Sequence, residues 1–522
     1  MLNLKKLCII LFLNSLIIGL TNGQSLSEAK SNFKLKNYAS ALINYRLYLI
    51  DNPEDKIAIK NIGLCYFYSD LDKTKSIKYF KQCISFPKYD KEILYYLTKA
   101  YIYDQNFEKA LETLEKYKLK PGKYKSEIPF LYNQINFSQN AISNPINVSI
   151  ENLGNKVNTS SSETNPFIDK KEQRLVFTSN RNGNKGIIGT NGSFMLDVYT
   201  NNFSGFNFTK SKNCKSLNSN LNEETTGIKD DGSYIYVSYN NGDSKKATDL
   251  FKSKKRGSTY KKKQILKEGL NQIKSFESSG TFNQNEDVIY FSSNRNEGIG
   301  GNDIYIMKKL PNGNWSFPEN LMEINTDLDE EFPYYNSYDS TLYFSSNGLP
   351  GMGGFDLFKT KWNPVNKSWS EPQNLGYPIN SAYNEKTICF GRENKHAYIS
   401  SIRKGGLGAY DIYRLNFESI EIKPVLYLIS VKEDSSLIKL DSTVIEILNL
   451  ENKILGKYKS NSNNKIHTVI LQPGNYKIKI TANGYEEIFR KFNVSTFAYD
   501  KETVRINYLL KKLEWISNLK NL

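Results

Sequence analysis

Apolar residues along this chain keep three rhythms in succession. From Ala29 to Leu114 they recur at helical spacing, in sets such as Ala29, Phe33, Tyr38, Ala41 and Tyr45, then Gly63, Tyr66, Ile77 and Phe80, then Leu97, Ala100, Tyr101, Phe107, Ala110 and Leu114. Such spacing buries one face of each helix. Between Glu163 and Asp411 the rhythm becomes short apolar runs of strand length separated by Gly-rich turns. After Phe417 it becomes alternation, in PVLYLISV (Pro424 to Val431), TVIEILNL (Thr443 to Leu450), HTVIL (His467 to Leu471) and YKIKITA (Tyr476 to Ala482). Alternation at period two predicts half-buried strands.

The middle rhythm is a repeat. VIYFSSNRNEGIGGNDIY (Val288 to Tyr305), LYFSSNGLPGMGGFDLF (Leu342 to Phe358) and AYISSIRKGGLGAYDIY (Ala397 to Tyr413) are its clearest copies, with looser ones at Leu175 to Tyr199 and Tyr234 to Phe251. Aligned hydroxyls stand at Thr178, Ser238, Ser292, Ser345 and Ser400, and aligned acids at Asp197, Asp249, Asp303, Asp356 and Asp411. The hydroxyl-to-acid separations are 19, 11, 11, 11 and 11, so the first copy carries an insertion. A third marker is an acid at Glu163, Glu224, Glu277, Glu330 and Glu385, which precedes the hydroxyl by 15, 14, 15, 15 and 15 residues. The later copies recur every 53 to 55 residues, and each supplies four strand candidates, which reads as a propeller blade. The fifth copy lacks its fourth strand, but ENLGNKVNTSSSE (Glu151 to Glu163) matches PQNLGYPINSAYNE (Pro372 to Glu385). The strand ending near Leu153 therefore completes the last blade, closing five blades without free edges.

These readings combine into an expected multidomain fold: an α-helical solenoid, a five-bladed antiparallel β-propeller, then a small β-sandwich. The expected boundaries are a signal peptide over 1–23, helices over 25–140, the propeller over 146–417, the sandwich over 422–512 and a tail over 513–522. In the helical part, small residues recur 33 to 37 apart at Ala29, Gly63 and Ala100 and at Ala41, Ile77 and Ala110, an offset that looks like tetratricopeptide repeats. LQPGNY followed by NGY (Leu471 to Tyr485) resembles the carboxypeptidase-regulatory, transthyretin-like sandwich.

Charge and cysteine refine this picture. Lys5 and Lys6, the apolar run Leu7 to Leu20 and the short residues up to Gly23 make a secretory signal, with Cys8 too early to be a lipidation site. No later stretch is long and apolar enough for a membrane helix. The formal charge of +16 in an exported chain favours anionic envelope surfaces over nucleic acid. Its densest cluster, with Lys254, Lys255, Arg256, Lys261, Lys262 and Lys263, is read as a solvated hairpin or a contact for an acidic partner. Cys65, Cys83, Cys214 and Cys389 show no CxxC spacing, and register sets Cys65 and Cys83 apart on their hairpin, so no disulfide is expected.

Catalytic chemistry is poorly supplied. His396 and His467 are the only histidines, which excludes histidine triads and zinc sites, and there is no G-x-S-x-G elbow. The repeated Glu and Asp recur once per blade, so the economical role is an acid accepting backbone N–H groups at the same turn in every blade. The turns GIGGND and GMGGFD lack a following helix and a Walker lysine. No cofactor, metal or catalytic residue is expected.

With its blade motif FSSNR-x-G-x-GG-x-DIY, the chain resembles PorE-like proteins of the OmpA family: envelope proteins with tetratricopeptide repeats, a TolB-type propeller, a regulatory-type sandwich and a peptidoglycan-gripping OmpA-like domain. The resemblance runs from Ser25 to Leu510, and the sequence ends at Leu522 without that last domain. It implies association with type IX secretion or gliding machinery and with a PorP/SprF-like outer-membrane protein. The function expected is a non-enzymatic scaffold, periplasmic or outer-membrane-associated, that binds envelope proteins. The alternative is a glycan-binding or sensing propeller using Trp315, Trp369 and the basic hairpin.

Overall fold

Two similar turns show how locally this sequence sets its helices. LKNYASA and DQNFEKA place Lys36 and Gln105 in left-handed backbone, with φ of 60° and 55°, and the next residue, Asn37 or Asn106, caps a helix by accepting from the Ser40 or Lys109 N–H. Asp55 does the same for Ile57 and Ala58. The resulting helices are α1 (25–34), α2 (Tyr38–Asp51), α3 (Lys56–Tyr68), α4 (Ser76–Ile84), α5 (Glu92–Tyr103), α6 (Phe107–Leu119) and α7 (Ile128–Ser143). The computed structural model describes residues 25–186, 188–204, 207–240, 248–257, 259–266, 269–272, 275–391, 394–417, 425–472, 474–494 and 503–513. The signal segment 1–23, the start of the expected sandwich at 422 and the tail from 514 lie outside them.

The helical part corrects the expected fold class. Small residues do let helices approach, since a Cβ on Gly63 would lie 2.6 Å from the Phe80 ring. The helices do not form an extended solenoid, whose repeats would bury apolar surface only on their neighbours. Instead α3 to α7 share a core with Ala382 of the β region. Gln134 of α7 donates to the Met352 and Gly353 carbonyls at 2.8 and 3.0 Å, and the Tyr103 and Tyr383 rings pack 4.9 Å apart. Helices and β ring form one compact unit, and the chain is mainly β.

Five antiparallel sheets make up the ring. Their inner strands are Glu163–Ile168, Glu223–Ile228, Glu277–Phe282, Glu330–Asn336 and Ile388–Phe390, and each touches the next, with the fifth returning to the first. We number the blades one to five by these strands. The second strands (Arg174–Ser179, Tyr234–Asn240, Val288–Ser293, Thr341–Ser346, His396–Ser401) and third strands (Asp197–Ser204, Thr248–Arg256, Asp303–Lys308, Asp356–Asn363, Asp411–Asn416) follow outward. Blades one to four add their own short outer strand, while blade five takes Ser149–Asn152, paired antiparallel to Asp411–Asn416. The LYFSS-type runs are buried on both faces, as in Arg174–Ser179 and Thr341–Ser346, which explains their unbroken hydrophobicity.

The second unit is a pair of sheets. Val425–Glu433 lies between Ile466–Leu471 and the parallel strand Val504–Leu510, and the other sheet orders Ile454–Lys459, Val444–Leu448, Gly474–Thr481 and Ile488–Val494. Its core is mostly aliphatic, with Ile429, Ile445, Ile447, Val469, Ile478 and Ile480 fully buried beside Tyr427, Phe492 and Tyr508. Three strands, Ile454–Lys459, Ile488–Val494 and Val504–Leu510, lie outside the alternating runs that predicted the others.

Candidate functional site

Asp197, Asp303, Asp356 and Asp411 are buried and work on the backbone. Asp303 Oδ2 and Oδ1 accept from the Ile299 and Gly300 N–H groups, at 2.5 and 3.2 Å, and Asn320 Nδ2 adds a third bond at 2.7 Å. Asp356 repeats this with Met352, Gly353 and Asn374, and Asp411 with Leu407, Gly408 and Asn152. Asp197 takes the Lys185 N–H and Asn213. Asp249 pairs with Tyr239, one residue inside the start of its strand. In these four blades the turn is thus folded over a carboxylate.

The glutamates brace the entry to each inner strand. Glu163 takes the Thr159 N–H and hydroxyl and the Ser179 hydroxyl, at 2.7, 2.8 and 2.8 Å, and pairs with Arg181 at 2.9 Å. Glu277 and Glu385 have equivalent hydroxyl partners and pair with Arg295 and Arg403 at 3.3 and 3.9 Å. Glu330 is held by Thr326 and Ser346, with Gly348 where blades one, three and five have arginine. Burial raises the Glu277 and Glu330 carboxyls, and it pushes Asp356 up to about 7, with the neighbouring Glu385 charge adding to the effect.

Blade two corrects the assignment. The buried brace is Glu223, which takes the Ser219 N–H and hydroxyl and pairs with Lys263 at 2.6 Å. Glu224 is one residue past it and faces elsewhere. A looser copy of the motif hid this one-residue shift, which reverses the side of the strand on which a side chain stands. The same contact removes Lys263 from the expected basic patch, since its ammonium lies over the Tyr239 ring at 3.4 Å. Lys254, Lys255, Arg256, Lys261 and Lys262 are exposed or half-buried.

A second once-per-blade device is absent from the repeat as read above. Asn325 accepts from the Ile304 N–H and donates to the Ile304 carbonyl and to Asn320. Asn158, Asn218, Asn271 and Asn380 clamp Ile412, Val198, Leu250 and Leu357 in the same way. Its sequence signal is an apolar–Asn pair (Val157, Leu217, Leu270, Ile324, Ile379) six or seven residues before the bracing glutamate.

The residue after each bracing glutamate points to the ring's centre. Thr164, Glu224, Ser278, Glu331 and Lys386, one from each blade, line one cavity of about 350 Å³ together with Asn165, Ser238, Phe332, Ser400 and Tyr410. Lys386 Nζ lies 2.6 Å from Glu331 Oε2, and Asn302 donates to Glu331 Oε1 at 2.9 Å. Glu224 accepts from Asn165 at 3.2 Å. Burial raises the Glu224 carboxyl against the opposing pull of Lys386.

The tryptophans diverge. Trp369 is buried, packed edge-on to Tyr290 and Trp362, whereas Trp315 lines a groove of about 820 Å³ with Tyr236, Phe282 and Lys252. His396 Nδ1 sits 3.1 Å from Glu172, and His467 is buried against the Thr443 hydroxyl, with its pKa lowered by burial. The four described cysteines are free and buried, their thiols raised to about 11 or 12 by burial. Among the described residues no group of three metal-ligating side chains converges, and no helix is long and apolar enough to cross a membrane.

The described residues thus define a five-bladed antiparallel ring with a polar axial cavity. No family model and no curated protein matches the sequence. Among solved structures it is similar to a BT0996–RGII complex, with 8% identity over 55% of this chain and 96% of that one, at a TM-score of 0.37. It is also similar to a putative TolB from Agrobacterium tumefaciens (12% identity, 62% and 97% covered, TM-score 0.30). A third similarity is to an alpha-L-arabinofuranosidase from Lactobacillus brevis (9%, 50% and 91%, TM-score 0.33).

Proposed function

We propose that this protein is a non-enzymatic, exported scaffold that binds other proteins of the cell envelope. The observation that carries this reading is the outward face of α2, where Ile43, Leu47 and Ile50 are 61%, 52% and 73% exposed at i, i+4 and i+7. Apolar side chains in one row on a surface helix mark a protein contact. The repeated acids support a structural rather than a catalytic use of the blades, since the oxygens of Asp303, Asp356, Asp411 and the bracing glutamates are taken up by turns and strand entries. The PorE-like blade motif favours the envelope, with a PorP/SprF-like outer-membrane protein among the partners expected. Crosslinking and pull-down of the tagged protein from intact cells tests this. Specific envelope proteins should be recovered, and Leu47→Asp should lose them while the melting temperature holds. Equal recovery with Leu47→Asp removes α2 as the contact, and recovery of no specific protein removes the scaffold.

One observation favours a second reading. Trp315 and Phe282, with ring centroids 6.0 Å apart, line the groove between blades two and three, and aromatic walls with polar groups suit a glycan. Binding of envelope polysaccharide by the full chain, lost in Trp315→Ala, supports it; unchanged binding in that variant refutes it.

A further inference from the structure

Fivefold equivalence makes the axial cavity's differences informative. Its five floor positions carry two hydroxyls, two carboxylates and one ammonium, so one carboxylate charge remains after Lys386 pairs with Glu331. That remaining charge is Glu224. It accepts one hydrogen bond, from Asn165, where Glu331 is held by both Lys386 and Asn302. Beside it on the next blade, the Ser278 hydroxyl is buried without a partner.

The backbone around the cavity is also specialised. Asn165 and Phe332, two residues past their bracing glutamates, line the cavity with φ of 50° and 51°. The pairing register shifts beside these positions in blades one to four. Bulges re-aim side chains, and left-handed backbone at residues other than glycine concentrates where a site needs it.

We propose that the axial cavity is a receptor for an ammonium group, the lysine side chain of a partner protein. A compact ammonium with three donors matches one carboxylate without an ion pair and scattered hydroxyls from Thr164, Ser238, Ser278 and Ser400. A guanidinium would seek a bidentate carboxylate, and one Glu224 oxygen is already engaged by Asn165. A divalent cation needs six or more oxygens, more than one carboxylate without an ion pair and scattered single hydroxyls gather at one point. For the source of the lysine the proposal rests on the protein-binding reading above, but its test needs no partner, so the two fail separately.

The test is a fluorescence-polarisation titration of the full chain with a fluorescein-labelled, N-acetylated Gly-Gly-Lys-Gly-Gly amide. Binding should vanish when the lysine is Nε-acetylated. Glu224→Gln should weaken it roughly tenfold, the effect of removing one charge-assisted bond. Ser278→Ala should weaken it several-fold, which keeps the test sharp if Glu224→Gln misfolds. Lys386→Gln should tighten it by removing the competing cation, and Lys254→Ala should leave it unchanged. Equal affinity in wild type and Glu224→Gln, or weaker binding in Lys386→Gln, overturns the proposal. Displacement of the peptide by calcium chloride at equal ionic strength reassigns the cavity to a metal. Displacement by butylammonium as effective as by unlabelled peptide reassigns it to a small amine.

Discussion

Blades two and three meet the same electrostatic demand with different residues. In blade three the buried Glu277 pairs with Arg295, two residues beyond its own serine; in blade two Glu223 pairs with Lys263, which arrives from the far side of the outer hairpin. A carboxylate without water needs a cation or several donors, and the fold accepts either from any direction. The repeat therefore keeps the geometry around the acid while leaving the origin of the counter-charge open. Blade four goes further, using hydroxyls and a backbone N–H at Glu330, with glycine in place of arginine.

Removing the cation is the most severe way to break this comparison. Arg295→Ala should cost about 3–5 kcal/mol by leaving Glu277 buried and unpaired. Lys263→Ala should cost less, because its side chain is 12% exposed against 5% for Arg295. Urea unfolding of both variants measures the difference, and equal loss would mean that the two pairs are interchangeable. Next in size, Glu223→Gln should lose about 3 kcal/mol, while Glu224→Gln, with a single hydrogen bond, should lose about 1 kcal/mol. The reverse order would make Glu224 the brace after all. Asn325→Ala should lose about 2 kcal/mol through its three buried bonds, read as faster hydrogen exchange in Asp303–Lys308.

Acidification sharpens the contrast between the ring and the sandwich. Folded Asp356 retains its proton up to about 7, against an ordinary value of 3.8, so the folded state holds a proton that the unfolded chain releases between those values. This group therefore adds stability as pH falls from 7 towards 4, on the order of 1 kcal/mol after relaxation. Glu277 and Glu330, also raised, act in the same direction. His467 is lowered from 6.5, so the unfolded chain takes a proton that the folded sandwich refuses, and that unit loses stability as pH falls through 6.5. Hydrogen exchange at pH 7.5 and 5, corrected for intrinsic rates, should show blade four gaining protection and Ile466–Leu471 losing it. The smallest effect is expected from neutralising Lys254 or Lys255, within about 0.5 kcal/mol.

Period and polarity made the ring legible. The regular spacing of Asp303, Asp356 and Asp411 located equivalent turns, and the match of Glu151 to Glu163 with Pro372 to Glu385 pointed to the strand that closes blade five. The brace is misplaced at Glu224 by matching the loose copy on its acid and following Gly227; counted back 15 residues from Ser238, as in the other blades, the brace falls on Glu223. The pair Leu217–Asn218, with Asn218 five residues before Glu223, carries the correct register. The helical part misleads for a different reason: its internal offsets describe how helices meet one another, and nothing in them signals that Ala382 or the Met352 carbonyl enters the same core. Lys263 reads as a surface charge because exposure depends on where the hairpin folds, and Glu223 decides that from 40 residues away. The axial cavity is illegible because its lining alternates with the bracing acids on strands that sequence alone does not bring together.

Asn416 and Ser149 meet across 267 residues of chain. A clasp made from the first and last strands cannot be fastened until the whole intervening sequence has been delivered, so the nascent ring waits open, with its earliest strand unmated, while four blades assemble. Distant pairing of this kind is slow, and the unlatched interval is when a neighbouring copy's terminal strand competes for the same edge. The seam thus makes the rate of chain delivery, as much as the final contacts, a determinant of whether one molecule closes on itself or two molecules close on each other.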